Sequence, residues 1–233
     1  MSWNSSFNGF PKETLKFYAD IAENNSKPWF EQHRRDFDDF VMRPARAFVV
    51  EMGERLRKIS PKINADPRVN KSLFKIHRDT RFSPDKTPFK TYLGIMFWEG
   101  ERKRMECSCY YFHLNSTTLM VGSGIYMFPK PHLEEYRKSV IHPERGSALA
   151  EIIAILETDG FQLGGRAYKK TPRGFDPQHE RAELLLHKGL YAGVEDSIPK
   201  ALHSSELLDT CFDRFERMAP LHKWLVAMTG RIS

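Results

Sequence analysis

Apolar side chains recur at helical spacing toward both ends of the chain. After Pro11 they predict a short helix ending at Asn24-Asn25, and over 30–59 they predict a long helix that Pro44 kinks or breaks near Met42. The same period returns in the second half of the chain. There it predicts helices after Pro129 and Pro131, from Glu151, over 179–193 with an end near Gly189, and from Ser204 with an interruption at Pro220.

The middle of the chain has the composition and alternation of strands. Residues 73–79 (LFKIHRD) and 92–99 (YLGIMFWE) read as two strands, and 106–114 with 117–127 read as a hairpin that turns at Asn115-Ser116. Another short strand is expected among the glycine- and proline-rich turns of 160–178. Grouped helices, then strands, then helices indicate an α+β fold. We expect an antiparallel sheet of about four to six strands flanked by helices.

Length and composition narrow the class of protein. The 233 residues suffice for one sizeable core, so we expect a single domain over 1–233, and 40% apolar residues exclude a disordered chain. No apolar run approaches the roughly 18 residues of a membrane span, and the N-terminus does not resemble a secretion signal, so we expect a cytoplasmic protein without a membrane partner. The odd set Cys107, Cys109 and Cys211 argues against a disulfide framework and against a thiolate zinc site, so no metal is expected.

Charge is concentrated in one part of the chain. Residues 71–104 contain nine Lys or Arg against four Asp or Glu, whereas the rest of the chain is nearly neutral. A localised positive field attracts phosphate, carboxylate or nucleic acid. The sequence therefore predicts an anionic partner.

The centre of this region is the basic loop HRDTRFSPDKTPFK, residues 77–90. If the preceding stretch is extended, Arg78 shares the apolar face of Phe74, Ile76 and Phe82, and a guanidinium there needs a carboxylate or a bound anion. Both alternatives stay open, with Asp79 and Asp85 as the nearest acids. Asp79 can instead hold Arg81 so that its fork meets a planar oxyanion, and Lys86 can add a point charge. Pro84 and Pro88 stiffen the loop, in a ligand site and in an ordinary connection alike.

Familiar catalytic motifs fail. His77-Arg78-Asp79 begins like a kinase catalytic loop, but the required asparagine is Pro84 and no D-F-G follows. Gly122-Ser123-Gly124 fits neither a nucleophile elbow nor a dinucleotide fingerprint, and neither a P-loop nor H-E-x-x-H occurs. The sequence indicates no particular cofactor, reaction or oligomeric state.

The chain resembles a family of conserved hypothetical proteins of bacteria and fungi filed as domain of unknown function 2461. The central RD-x-RF-x-x-DK carries the resemblance, together with Asn24-Asn25 before Trp29-Phe30, YY and Gly-x-Gly-x-Tyr in the hairpin, and Arg137, Ile141, 172–175 (PRGF) and His179 farther on. Lys75 and Phe89 depart from the family pattern, which usually has Arg and Tyr there. The resemblance implies a single α+β domain and no particular reaction.

Three functions fit these observations. The leading one is a site for a phosphorylated or otherwise anionic small molecule, with His179 or His113 as acid or base if it is catalytic. Its residues would be Arg78, Asp79, Arg81, Lys86, Arg137, Arg173 and His179. The second is nucleic-acid binding, suggested by basic residues interleaved with Phe82, Phe89, Tyr92, Phe97 and Trp98. The third is a structural or interaction module in which the basic loop is an internal ion-pair network.

Overall fold

A computed structural model describes residues 6–232. Its N-terminal part is helical: α1 is Lys12–Glu23, α2 is Lys27–Gln32, α3 is Arg34–Asp36 and α4 is Arg43–Leu56, with a π-helical turn over Phe37–Met42 before α4. The predicted short helix is confirmed, and the predicted long helix is broken as expected. Pro44 lies in the first turn of α4, where its missing N–H would have no helical partner.

Six strands form one antiparallel sheet in the order β1-β2-β3-β4-β6-β5. This sheet with its helices confirms the predicted α+β class. The strand bounds are Ile63–Asn64 (β1), Leu93–Glu99 (β2), Ser108–Leu114 (β3), Thr118–Ile125 (β4), Gln162–Arg166 (β5) and His187–Ser197 (β6). The predicted hairpin is β3 and β4, and Asn115 closes it by accepting from the backbone N–H groups of Thr117 and Thr118 at 2.8 and 2.7 Å.

Three long helices complete the described chain. They are α5 (Lys130–Ile141), α6 (Pro143–Thr158) and α7 (Glu206–Thr229), and short 3-10 turns lie at Arg104–Glu106, Ala182–Leu186 and Lys200–His203. The helices predicted after Pro129 and around Glu151 are thus confirmed. Within the described residues, no helix is both long and apolar enough to cross a lipid bilayer.

Three predicted elements were wrong. Residues 73–79 form isolated β-bridges at Leu73 and His77 instead of a strand. Residues 179–193 form a 3-10 turn followed by β6 instead of a helix, because β6 pairs with β5 in a register that sets Leu163 opposite Ala192 and Gly164 opposite Tyr191. Pro220 does not interrupt the last helix, since α7 continues through it. The neighbours Ala219 and Leu221 are buried, and this packing offsets the lost backbone hydrogen bond.

Contacts divide the described chain into two compact units. The first comprises residues 6–97, Tyr111–Val121 and Glu195–Arg214, and the second comprises Trp98–Tyr110, Gly122–Val194 and residues 215–232. The single domain expected from the sequence stays a prediction.

Aromatic rings dominate the core of the first unit. Phe48 lies at its centre, with ring centroids 5.2 Å from Phe7, 4.8 Å from Phe112 and 6.5 Å from Phe97. Offset and edge-on ring pairs at such distances stabilise a core beyond their buried area. This core fixes α4 against the sheet residues of the same unit.

The second unit buries a charged side chain as well as rings. Tyr136 of α5 packs on Phe128 at 4.8 Å. Arg181 is 9% exposed and donates from Nε to the Val140 carbonyl at 2.8 Å and from Nη1 to Ser147 Oγ at 3.2 Å. A buried guanidinium is tolerated here because backbone and side-chain oxygens accept its hydrogen bonds.

Candidate functional site

A pocket of about 630 Å³ lies in the first unit, beside the basic loop. This volume is typical of small-molecule sites. Its lining comes from the end of α1, both arms of the loop and the approach to β2: Ala22, Asn25, Arg78, Asp79, Asp85, Thr87, Phe89, Lys90, Thr91 and Tyr92. The predicted basic loop therefore borders a hollow large enough for a ligand.

The two arms of the basic loop pair with each other instead of forming long strands. Arg78 N donates to the Pro88 carbonyl and Lys90 N donates to the Ile76 carbonyl, both at 2.8 Å, around an isolated antiparallel bridge between His77 and Phe89. Phe89 is 2% exposed and stacks on Phe30 of α2 with ring centroids 4.4 Å apart. The packing of Phe89 thereby ties the loop to the helical layer.

Arg78 is held by the loop itself. Its Nη1 donates to the carboxylate of Asp85 and to the hydroxyl of Thr87, and its side chain is 27% exposed. Asp85 also accepts from Thr87 N at 2.9 Å. This backbone hydrogen bond, followed by the one from Arg78, lowers the pKa of Asp85 to about 2. Of the two alternatives for Arg78, the structure shows the internal carboxylate partner, with the pair lining the pocket.

Asp79 holds Arg81 as the sequence suggested, but the Asp79 carboxylate occupies the guanidinium fork instead of leaving it free for an oxyanion. Arg81 donates from Nε and Nη2 to the two carboxylate oxygens of Asp79 at 2.9 and 2.7 Å. These side-chain hydrogen bonds, with a further one from Arg81 N, lower the pKa of Asp79 to about 2. Asp79 lines the pocket, whereas the Arg81 side chain is 76% exposed and Lys86, whose Nζ donates to the Thr80 carbonyl, is exposed too. Arg81 and Lys86 therefore lie on the outer surface of the loop.

Phe82 was placed wrongly by the strand pattern. It is 93% exposed, with the Arg81 guanidinium 5.8 Å from its ring centroid. The alternation that puts Ile76 in the interior ends at a turn, in which Ser83 N donates to the Thr80 carbonyl at 3.3 Å. Beyond that turn, position along the sequence no longer predicts the face.

A second cation and a cluster of rings border the pocket on the β2 side. Lys90 Nζ donates to the Lys75 carbonyl at 3.0 Å and lies 5.1 Å from the Phe74 ring and 5.8 Å from the Tyr92 ring. Tyr92 stacks on His113 with centroids 4.2 Å apart. Burial lowers the pKa of His113, an effect that Glu195 partly offsets, so the imidazole is neutral at pH 7.

Three predicted site residues belong to the second unit. The Arg137 guanidinium lies 5.1 Å from the ring of Tyr168, Arg173 is exposed, and His179 Nδ1 accepts from Arg181 N at 3.0 Å. In the chain as described, none of the three lines the pocket. Their part in a site stays a prediction.

The structure also reveals a hydrogen-bonded series of three polar side chains that no pattern in the sequence predicts. Ser108 Oγ lies 2.9 Å from His222 Nδ1, and His222 Nε2 lies 3.1 Å from Glu99 Oε2. The three residue types are those of a hydrolase triad, but Ser108 and His222 are fully buried, so no substrate can reach the hydroxyl. These hydrogen bonds instead satisfy buried polar groups of β3 and α7 within the second unit.

Over residues 6–232, no group of three or more His, Cys, Asp or Glu side chains is arranged to hold a metal ion. The charged pocket in the first unit is therefore the candidate site.

Comparison with known proteins gives a family and no activity. A family model described as "Conserved hypothetical protein (DUF2461)" matches residues 13–224. No curated protein matches the chain.

Proposed function

The chain belongs to the DUF2461 family of conserved hypothetical proteins, and on that premise we propose that its first unit binds an anionic small molecule in the pocket beside the basic loop. One observation carries the proposal: Arg78 and Lys90 line a pocket whose two acids, Asp79 and Asp85, are each engaged by an arginine. The lining itself contains two cations and two acids, and the positive surplus beside it comes from the rest of the basic loop.

The charge balance of the loop supports an anion. Residues 75–90 contain five Lys or Arg and two Asp. Asp85 holds Arg78 and Asp79 holds Arg81, and the segment as a whole keeps a formal net charge of +3. A cleft bordered by excess positive charge concentrates anions and accelerates their association.

Two further expectations belong to the same proposal. Of the two histidines considered for acid–base chemistry, His113 lies in the unit that contains the pocket and stacks on its wall at Tyr92. Its neutral imidazole can accept a proton. The cytoplasm is the proposed location, and free, buried Cys107, Cys109 and Cys211 support a reducing environment.

The test is equilibrium binding by calorimetry, with inorganic phosphate, phosphate monoesters and dicarboxylates as probes. The double change Arg78→Gln with Asp85→Asn and the single change Lys90→Gln should each weaken binding about tenfold, the loss expected for a charge-assisted hydrogen bond. A matched control is Arg68→Gln with Asp66→Asn, a local Arg–Asp pair outside the pocket lining. Equal affinity in the pocket and control variants, or no binding by any probe up to about 10 mM, would overturn the proposal.

Nucleic-acid binding is a second candidate, favoured by Phe82. A ring that is 93% exposed beside Arg81 offers a platform on which a base can stack. This function predicts affinity for single strands that falls steeply with salt and is lost in Phe82→Ser. Phe89 of the loop and Phe97 of β2 are buried, so neither ring can stack on a base.

A further inference from the structure

We infer that the pocket takes a phosphate monoester of a polyhydroxylated small molecule, a sugar phosphate or polyol phosphate. The inference rests on the proposed function and narrows its ligand. It follows from the two acids in the lining, from the hydroxyl-bearing residues of the same lining and from aromatic rings that already stack on other side chains.

The carboxylates of Asp79 and Asp85 favour a ligand that carries hydrogen-bond donors. Asp79 and Asp85 both line the pocket and are 53% and 57% exposed. Their low pKa keeps them ionised, so they accept hydrogen bonds and donate none. A ligand that is anionic throughout would be repelled by them, whereas one with hydroxyl groups near its phosphate would donate to them.

The acids keep room for such donors. A carboxylate offers about four acceptor positions in all. Asp79 accepts three hydrogen bonds from Arg81, and Asp85 accepts one from Arg78 and two from Thr87, so each acid keeps about one position for a ligand hydroxyl. Thr91 and Tyr92 add hydroxyl groups to the same lining, and these can both donate and accept. The wall therefore carries separate partners for a phosphate and for several alcohols.

The rings of the pocket disfavour a nucleotide. Phe89 is 2% exposed and is stacked on Phe30. Tyr92 is stacked on His113 at an interplanar angle of 22°, and the Lys90 ammonium lies 5.8 Å from the same ring. Since bases bind largely by stacking on aromatic faces, this lining has little to offer one. The volume of about 630 Å³ is also far larger than inorganic phosphate requires.

The experiment compares five probes by calorimetry: inorganic phosphate, n-butyl phosphate, glucose 6-phosphate, ribose 5-phosphate and adenosine 5′-monophosphate. We expect the two sugar phosphates to bind at least about tenfold more tightly than the other three. Asp79→Asn should remove most of this preference, because the carboxylate that accepts from the hydroxyls is lost, while n-butyl phosphate should bind equally well or better.

The control is Asp66→Asn, since Asp66 holds Arg68 with nearly the same geometry outside the pocket lining. Thr91→Val is a second variant, which keeps the shape of the side chain and should weaken only the sugar phosphates. Equal affinities for all the phosphates would overturn the inference and leave the proposed function standing, as would tighter binding of the nucleotide. Failure of all five probes to bind would overturn the inference, and the proposed function would also be overturned if the dicarboxylates of its own test do not bind.

Discussion

Asn25 and Phe89 exchange two hydrogen bonds. The Asn25 side chain donates from Nδ2 to the Phe89 carbonyl at 2.9 Å and accepts from Phe89 N at 3.0 Å. An amide side chain thus pairs with the basic loop as a neighbouring strand would. This contact fixes the backbone of the loop against the end of α1, with both residues in the pocket lining.

Replacing Asn25 should therefore destabilise the protein. Asn25→Ala leaves two backbone groups of the half-buried contact without partners, which costs about 1–3 kcal/mol, and Asn25→Asp should be at least as costly because it removes the donor. Urea unfolding measures the loss. Asn24→Ala is the matched control, since the Asn24 side chain donates an exposed hydrogen bond to the Asp20 carbonyl at 2.9 Å. Equal losses at both positions would contradict the structural role of the pairing.

The Asn25 contact also shows where prediction from the sequence stops. Periodicity located α1 and the β3–β4 hairpin, since each depends on residues close in sequence. Asn25 and Phe89 are 64 positions apart, and no local pattern relates them. The basic loop was identified through its charge, whereas the pocket beside it depends on contacts between distant segments.

The strand β6 is a second element that the local sequence did not predict. Leu184, Leu185 and Leu186 begin a run that fits a helix, but pairing with β5 decides the structure after them. For Arg78 the prediction succeeded in part. Alternation correctly indicated that its guanidinium needs a partner, but it did not distinguish Asp79 from Asp85 as that partner. The loop geometry that selects Asp85 could not be derived from spacing.

Replacing Arg81 should leave stability nearly unchanged. Its side chain is 76% exposed, and exposed ion pairs contribute little because water screens them. We expect Arg81→Met to shift the Tm by no more than about 2 °C, measured by calorimetry without ligand. Arg68→Met provides the comparison, since Arg68 pairs with Asp66 in the same way. A much larger decrease for Arg81→Met than for Arg68→Met would instead support the interpretation of the basic loop as an internal ion-pair network.

Stability should decline as the pH falls below about 7. Burial lowers the pKa of His113 in the folded protein, whereas an unfolded histidine has a pKa of about 6.5. On acidification the unfolded state therefore takes up a proton at a higher pH than the folded state. The contribution of His113 to stability is complete above the unfolded pKa and is lost as the pH falls through the folded pKa. The loss linked to Asp79 and Asp85 comes later, below pH 3.8, because their folded pKa is depressed.

Urea midpoints at pH 8, 7, 6 and 5.5 measure the effect of His113. His113→Gln should reduce the slope over this interval, because glutamine does not titrate, while His132 and His187, whose pKa burial also lowers, keep the rest of it. The control is His77→Gln, whose side chain is exposed in the native protein. An unchanged slope in His113→Gln would show that this imidazole does not contribute.

Gly124 should tolerate no side chain. Its φ is +141°, and a Cβ there would lie 2.3 Å from the Leu190 carbonyl oxygen and 2.5 Å from Tyr191 Cα. Gly174, in the same unit, has φ +87° but no heavy atom within 4 Å of the corresponding position. Gly174→Ala should therefore cost only the backbone strain of about 1–2 kcal/mol. Gly124→Ala adds overpacking of about 1–3 kcal/mol or more, because β4 must separate from β6, and urea unfolding of both variants should show this difference. Similar losses in the two variants would mean that β4 and β6 can move apart at little cost.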